Sequence, residues 1–318
     1  MLFFSKKPIE MNVIHLNKLQ KERQEQFKEI TKGNKASCCS LAKLRTLKKN
    51  KDKPTTNKKS DKRVFVLDFD GDIKASGVKH FREEISNIIS LAKAGDEVVV
   101  RLESGGGQVN GYGLAAAQLV RLKQAGLLLT VCVDKIAASG GYMMACVANK
   151  VLASDFAVIG SVGVVSQLPN FHEFLKKHHI GVEMFTAGEY KRTVTMFGEN
   201  DDKDRAKYQE ELDRIHELFQ AFIKTHRPAL DVEKIATGEF WFGADALALG
   251  LVDEICTSDS YLLSLLDEHD VFVLALHSKP TLAEKLGLNE HLGHGVKALI
   301  ESAEKTLLTA FRTNTPLS

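Results

Sequence analysis

Beyond a basic N-terminal stretch, short apolar segments of strand length alternate with longer segments whose apolar residues recur at helical spacing. The predicted strands include Val64–Phe69, Glu97–Leu102 and Leu128–Val133, and the helices between them are Val78–Ala94 and Tyr112–Gln124. This alternation predicts an α/β fold with a largely parallel sheet and flanking helices. In such sheets the chemistry collects in the loops that follow the carboxyl ends of the strands.

The N-terminal stretch differs sharply in charge from the rest. Residues 1–63 hold eighteen Lys and Arg against six Asp and Glu, whereas the remaining residues hold twenty-five against thirty-five. We expect a basic extension over residues 1–63, helical within 12–31 and disordered over the lysine-rich part, followed by one domain over residues 64–318. Further predicted elements are strands at Val162–Val165 and Val182–Phe185, a long helix at Asp201–Thr225 and C-terminal helices between Leu282 and Phe311.

Several classes of protein are excluded or disfavoured by composition. No run approaches the roughly 18–20 apolar residues that span a bilayer, so no transmembrane helix is predicted. The five cysteines form no CxxC pair, and their odd number argues against a disulfide framework. The glycine run after the second predicted strand lacks the patterns of nucleotide-binding loops. The sequence implies no cofactor and no metal.

The strongest local signal is a serine among alanines and glycines, in the run AASGGYMM from Ala137. Ser139 follows a predicted strand and starts a predicted helix, where free backbone N–H groups can stabilise an oxyanion. It could therefore be a nucleophile. An ordinary helix N-cap explains the same residues, and the sequence alone does not decide between the two.

Two further segments are candidates for the same chemistry. Gly105–Gly107 permit backbone geometries closed to other residues, although a flexible surface loop has the same composition. A nucleophilic serine also needs a base, and none of the eleven histidines lies in a persuasive setting. A lysine can serve when burial among apolar groups lowers its pKa from about 10.4. Lys191 follows an apolar stretch and a glycine, but it could equally be an exposed loop residue.

Four ordered motifs together closely resemble the signal peptide peptidase A family, and most of all its SohB-type bacterial members. They are RLESGGGQV from Arg101, VDKIAASGGYMMAC from Val133, IGSVGV from Ile159 and TAGEYKRT from Thr186. The resemblance extends over roughly residues 64–266 and implies a ClpP/crotonase-like fold. Family members usually carry proline where this chain has Gly105.

The resemblance also implies a catalytic site. By motif position Ser139 is the nucleophile of a Ser–Lys dyad, and Lys191 is its general base. Ser161 matches the residue that orients the lysine, and Gly106 and Gly140 fall on the oxyanion positions. The expected function is that of a serine endopeptidase that cleaves apolar peptide segments, such as signal-peptide remnants or membrane-protein fragments. The resemblance further implies a homo-oligomer.

SohB-type members usually begin with a transmembrane helix and are associated with the bacterial inner membrane. Residues 12–31 resemble the charged stretch that follows that helix, so we expect a chain that is truncated at its start or only peripheral. The basic extension could bind an anionic membrane surface. Rival interpretations are a crotonase-type acyl-CoA hydratase or hydrolase, and a non-catalytic scaffold or binding protein. Nucleic-acid binding is disfavoured because the body of the chain is acidic.

Overall fold

The computed structural model describes residues 9–31 and 62–278 of the 318-residue chain. Its strands are β1 (Ile9–His15), β2 (Arg63–Gly71), β3 (Glu97–Ser104), β4 (Leu128–Val133), β5 (Ile136–Ala138), β6 (Lys150–Ala153), β7 (Val158–Gly160), β8 (Phe240–Phe242), β9 (Glu254–Ile255) and β10 (Asp270–Ser278). Its helices are α1 (Leu16–Thr31), α2 (Val78–Leu91), α3 (Val109–Gln124), α4 (Gly140–Ala145), α5 (His172–Lys177), α6 (Asp202–His226), α7 (Val232–Ile235), α8 (Gly243–Ala248) and α9 (Ser258–Leu266).

One mostly parallel sheet organises these elements. Its strand order is β1-β10-β2-β3-β4-β6-β9, and β5 and β7 branch from the carboxyl end of β3. The pairs from β10 to β9 and the branch pairs β3–β5 and β5–β7 are parallel, whereas β7 and β8 are antiparallel. This architecture confirms the α/β fold with a mostly parallel sheet and flanking helices that the sequence predicted.

Both faces of the sheet are buried, as parallel strands require. Phe65, Leu67 and Phe69 of β2 project into the larger core, which contains the buried apolar side chains of α2, α3 and α4. Val64 and Val66 project into a smaller core on the opposite face, together with residues of α9. The alternation along β2 thus explains why this strand is apolar almost throughout.

The N-terminal stretch contributes more to the fold than the sequence indicated. The chain divides into two compact units, residues 13–275 and residues 1–12 with 276–318; the described residues of the second are 9–12 and 276–278, in β1 and β10. Asn17, at the start of α1, is buried and donates to the carbonyls of Leu266 and His269 at 2.8 and 2.9 Å. The described residues 13–31, which precede the predicted domain start at residue 64, therefore belong to the larger unit.

Other predicted elements agree less evenly. The strands at β2, β3 and β4 and the long helix α6 are confirmed to within a few residues. The strands predicted at Val162–Val165 and Val182–Phe185 are wrong, because both segments lack strand structure. The C-terminal helices predicted between Leu282 and Phe311 lie outside the described residues.

A buried carboxylate joins the start of the sheet to α9. Glu97, at the start of β3, accepts hydrogen bonds from Lys62 Nζ at 2.9 Å, Thr130 Oγ1 at 2.7 Å and Tyr261 OH at 2.6 Å. Burial acts to raise the pKa of Glu97, but these three donors outweigh it and leave the pKa below the usual 4.5. The folded state therefore binds this proton less tightly than the unfolded chain does.

We expect the lowered pKa of Glu97 to contribute stability that is fully present above pH 4.5 and is lost as the pH falls through the folded-state value. Glu97→Gln should lower the free energy of unfolding at pH 7 by roughly 1–3 kcal/mol, because its three donors lose a buried, charged acceptor. Urea denaturation at pH 7 and pH 4 measures both effects. The exposed Glu83→Gln is the control, and equal losses of stability between the two pH values in wild type and Glu97→Gln would contradict the assignment.

Candidate active site

Three strands bring the predicted site segments together. Ser104 of β3 lies opposite Ala137 of β5, and Ala138 lies opposite Gly160 of β7. Because these strands are parallel, their carboxyl ends lie side by side. The residues that follow them, the glycine run 105–107, Ser139 and Ser161, therefore meet at one edge.

Ser139 occupies a strained turn between β5 and α4. Its φ and ψ are 51° and −116°, a region that costs a non-glycine residue about 1–3 kcal/mol and is typical of functional sites. Its N–H donates to the Gly160 carbonyl at 2.7 Å, which fixes the turn against β7. The side chain is half-buried and caps no N–H of α4. The structure therefore does not support the N-cap interpretation.

Gly106 and Gly107 of the glycine run differ in the hydrogen bonding of their N–H groups. Gly106 has φ 88° and lies so close to α4 that a Cβ there would come 2.7 Å from the Gly140 nitrogen, so no other residue fits. The Gly106 N–H donates to Ser104 Oγ at 3.0 Å. Within the described part of the chain, the N–H groups of Gly107 and Gly140 have no acceptor. Gly107 and Gly140 therefore each present an unpaired donor beside Ser139, whereas the Gly106 N–H, which was expected at an oxyanion position together with that of Gly140, is held by Ser104.

A cavity of about 690 Å³ contains these groups. Ser139, Gly140, the glycine run and Ser161 all line it. Ser161 resembles Ser139 in having φ 51°, and its N–H donates to the Glu239 carbonyl at 2.6 Å. The apolar side chains of the walls are Ile73, Val109, Met143, Val164, Val165, Ile215 and Phe219. The cavity therefore combines a hydroxyl, two free amides and an apolar surface.

The expected base is not beside the nucleophile in a single chain. Lys191 is exposed, lies outside the cavity lining, and its backbone N–H closes a turn onto the Gly188 carbonyl at 3.2 Å. Among residues 9–31 and 62–278, none forms a hydrogen bond or ion pair with the Lys191 ammonium group. Tyr112 is the ionisable residue in the cavity lining, and no histidine lines it. The structure brings together Ser139, Ser161, Gly106 and Gly140, but not Lys191.

No metal centre accompanies this cavity in the described ranges, where no three His, Cys, Asp or Glu side chains cluster in a way that could hold an ion. The same ranges contain no helix that is both long and apolar enough to cross a membrane.

Comparison with known proteins shows which family this chain belongs to. Residues 121–271 match the model described as peptidase family S49, and residues 4–119 match the peptidase family S49 N-terminal model. A probable protease SohB of Buchnera aphidicola from Schlechtendalia chinensis is 47% identical over 272 residues, which cover 82% of this chain and 88% of that protein. The chain belongs to peptidase family S49. The recognition made from the four motifs is thereby confirmed.

Two other relatives extend well beyond the region that this chain matches. The probable protease SohB of Haemophilus influenzae is 57% identical over 224 residues, 70% of this chain and 64% of that protein. The putative protease SohB of Buchnera aphidicola from Baizongia pistaciae is 51% identical, and the match covers 77% of this chain and 66% of that protein. The chain thus spans slightly less than two thirds of these two relatives.

Among solved structures, the chain is similar to a 1510-N membrane-bound stomatin-specific protease, with a TM-score of 0.45 and 13% identity, over 68% of this chain and 99% of that one.

Two features of the site were not apparent from the sequence. The run of three glycines gave no sign of which N–H would remain free, because that depends on the hydrogen bond to Ser104. Tyr112 was assigned only to a helix, yet its ring packs against Gly140 so closely that a Cβ on Gly140 would overlap it. A large aromatic residue eight positions after the strand-ending serine was the available signal.

We predict that Gly140→Ala destabilises the protein by about 1–3 kcal/mol and lowers activity, because the new methyl group must displace the buried Tyr112 ring. Gly113→Ala is the matched control in α3. A methyl group there meets nothing within 4 Å, so it should be neutral or stabilise the helix by up to about 1 kcal/mol. Chemical denaturation of both variants measures the difference, and similar stability of the two would contradict the packing argument.

Proposed function

We propose that this chain is a serine endopeptidase whose nucleophile is Ser139. The observation that carries the proposal is a serine hydroxyl that lies on a strained turn and caps no backbone N–H of α4. The same cavity also contains the unpaired backbone N–H groups of Gly107 and Gly140. Such donors stabilise the negative charge that develops on a carbonyl oxygen during acyl transfer. Membership of peptidase family S49 supports hydrolysis of a peptide bond as the acyl transfer in question.

In the proposed reaction Ser139 Oγ bonds to the substrate carbonyl carbon while its proton passes to the neutral amine of Lys191. The oxyanion accepts hydrogen bonds from Gly140 and Gly107, and Gly107 takes the role that the sequence analysis gave to Gly106. The carbon–nitrogen bond then breaks, and the lysine returns the proton to the leaving amine. Water hydrolyses the resulting ester with the same base, and Ser161 orients the lysine.

This mechanism requires Lys191 to reach Ser139 in the working enzyme. The exposed segment from residue 165 to 197, which contains Lys191, has many apolar side chains on its surface. An exposed apolar surface of this kind is typical of a protein–protein interface. We propose that self-association into a homo-oligomer buries this segment and completes the site. Its large apolar residues that are more than two fifths exposed are Val165, Leu168, Phe171, Phe174, Ile180, Val182, Met184, Phe185, Tyr190 and Phe197.

The proposed substrates are apolar peptide segments, including signal-peptide remnants and membrane-protein fragments. The cavity supports this choice, since Ile73, Met143 and Phe219 offer an apolar surface to a substrate side chain in the cavity that contains the nucleophile. The basic N-terminal extension supports association with an anionic membrane surface, at about 1 kcal/mol for each Lys or Arg near it.

We predict that Ser139→Ala abolishes hydrolysis of a fluorogenic apolar peptide and labelling by a fluorophosphonate, because both need the hydroxyl as nucleophile. The free energy of unfolding should change by less than about 1 kcal/mol, since the hydroxyl makes no capping bond. Ser90→Ala, at an exposed serine on α2, is the control that should still label. Hydrolysis without labelling would favour a crotonase-type hydrolase, and turnover by Ser139→Ala would refute the nucleophile.

The base is tested separately. Lys191→Arg and Lys191→Met should each lose at least about 100-fold in kcat, because neither side chain can accept the serine proton. Lys79→Met, an exposed lysine on α2, is the control that should retain activity. Ser161→Ala should lose less than Lys191→Met, because it removes only an orienting hydroxyl. Wild-type kcat in Lys191→Arg would show that another group is the base.

Mixing two inactive variants tests how the site is completed. If the lysine comes from another copy, Ser139→Ala and Lys191→Met chains assembled together should recover part of the activity. If each chain closes its own site, the mixture should stay inactive while the oligomer persists by size-exclusion chromatography with light scattering. A monomeric and fully active enzyme would contradict the proposed assembly.

A further inference from the structure

Two buried hydroxyl groups lie directly behind the cavity. Ser104 is the last residue of β3 and is 2% exposed, and Tyr112, in the first turn of α3, is fully buried. Their oxygen atoms are 2.5 Å apart. Buried polar groups are rarely placed without partners, so the contacts of this pair show what it holds.

The direction of the hydrogen bonds follows from counting protons. Tyr112 OH donates its single proton to the Asp72 carbonyl at 2.8 Å. Ser104 must therefore donate to Tyr112, because the phenol has no second proton. Ser104 Oγ is then free to accept from the Gly106 N–H at 3.0 Å. The Gly71 carbonyl is a poorer acceptor for Ser104 at 3.4 Å. One chain of donors thus runs from Gly106 through Ser104 and Tyr112 to Asp72.

Burial of the Tyr112 hydroxyl favours the same direction of hydrogen bonding, from Tyr112 to Asp72. It raises the pKa of Tyr112 above its usual value of 10, although the hydrogen bond with Ser104 acts in the opposite sense. The phenol therefore stays protonated at neutral pH and remains a donor to Asp72.

The chain fixes the peptide that precedes the free Gly107 amide. With its N–H held by Ser104 and its φ at 88°, Gly106 has little freedom, and the plane of the next peptide is set with it. The ring of Tyr112 supports the second free amide from behind, because it fills the space next to the Gly140 Cα. One side chain therefore supports both segments that carry unpaired N–H groups.

We propose that Ser104 and Tyr112 are positioning residues that hold the Gly107 and Gly140 amides in the geometry an oxyanion requires. The inference rests on the proposed function, since it concerns the transition state of that same site. It differs from a purely structural role in one respect. Loss of the chain should weaken binding of a tetrahedral adduct more than binding of the substrate, because only the adduct carries the charged oxygen.

Tyr142 provides a matched control. It is fully buried in the same core, and its hydroxyl donates to a backbone carbonyl, that of Leu251, at 3.1 Å. Tyr142→Phe thus removes one buried hydroxyl and one hydrogen bond, whereas Tyr112→Phe removes one buried hydroxyl and two hydrogen bonds, one of them to Ser104. Tyr142→Phe therefore measures the cost of losing a buried hydroxyl that has no hydrogen bond to Ser104.

The experiment compares Tyr112→Phe, Ser104→Ala, their double variant and Tyr142→Phe in the full chain. A fluorogenic apolar peptide gives kcat and KM, and the aldehyde of the same peptide, which adds to the serine hydroxyl, gives adduct affinity. We expect kcat and aldehyde affinity to fall by about 10- to 100-fold in Tyr112→Phe and Ser104→Ala, with KM within about threefold of wild type. The double variant should be little worse than either single variant, because the residues act as one chain. Tyr142→Phe should keep wild-type kcat.

Three results would overturn the inference. Equal kcat values for Tyr112→Phe and Tyr142→Phe would do so, as would a double variant whose loss is the product of the single losses. A parallel loss in KM and aldehyde affinity would indicate general damage to the cavity instead. These results are distinct from failure of the proposed function, in which Ser139→Ala would keep wild-type turnover and the positioning role would fall with it. If Tyr112→Phe does not fold, Ser104→Ala carries the test alone through its ratio of aldehyde affinity to KM.

Discussion

The register of β3, β5 and β7 is the constraint on which the site depends. Hydrogen-bonded pairing of Ser104 with Ala137 and of Ala138 with Gly160 sets three carboxyl ends at one level. A slip of one residue would turn every side chain of the slipped strand to the opposite face. The same slip would separate Ser139 from the Gly160 carbonyl that holds its N–H. Backbone pairing thus brings the nucleophile, the glycine run and Ser161 to the same edge of the sheet, and the Ser104 side chain then holds Gly106 in place.

Much of this arrangement could be predicted from the sequence, for a physical reason. Apolar periodicity identified the strands and helices that are buried on the sheet, since burial imposes that periodicity. Small residues after a strand indicated close backbone approach around Ser139. The four ordered motifs indicated the family. These signals are local, so each can be read from a few consecutive residues.

What could not be predicted depends on contacts between distant segments. The role of Ser104 requires a tyrosine from α3 and a carbonyl from the loop after β2. The burial of Asn17 requires the turn between α9 and β10. Val182–Phe185 is a short segment rich in apolar residues, as many strands are, but its apolar side chains are exposed in the single chain. Such a composition indicates apolar surface, but it does not indicate whether a sheet or a neighbouring molecule covers that surface.

The site also divides into a rigid part and an exposed part, and this division has an energetic consequence. Holding Ser139 at φ 51° costs about 1–3 kcal/mol, which only a well-packed surrounding can offset. That surrounding is present, because α4 is buried along its whole length and Gly160 fixes the turn from the other side. Lys191 has no such support, since the segment around it is exposed. The strained turn of Ser139 and the amide donors beside it can therefore be held in the single chain. The position of Lys191, which lies on an exposed segment, depends instead on the molecule that covers that segment. Under the proposed mechanism, covering it would both bury apolar surface and deliver the lysine, so the free energy of association would supply the ordering that catalysis requires.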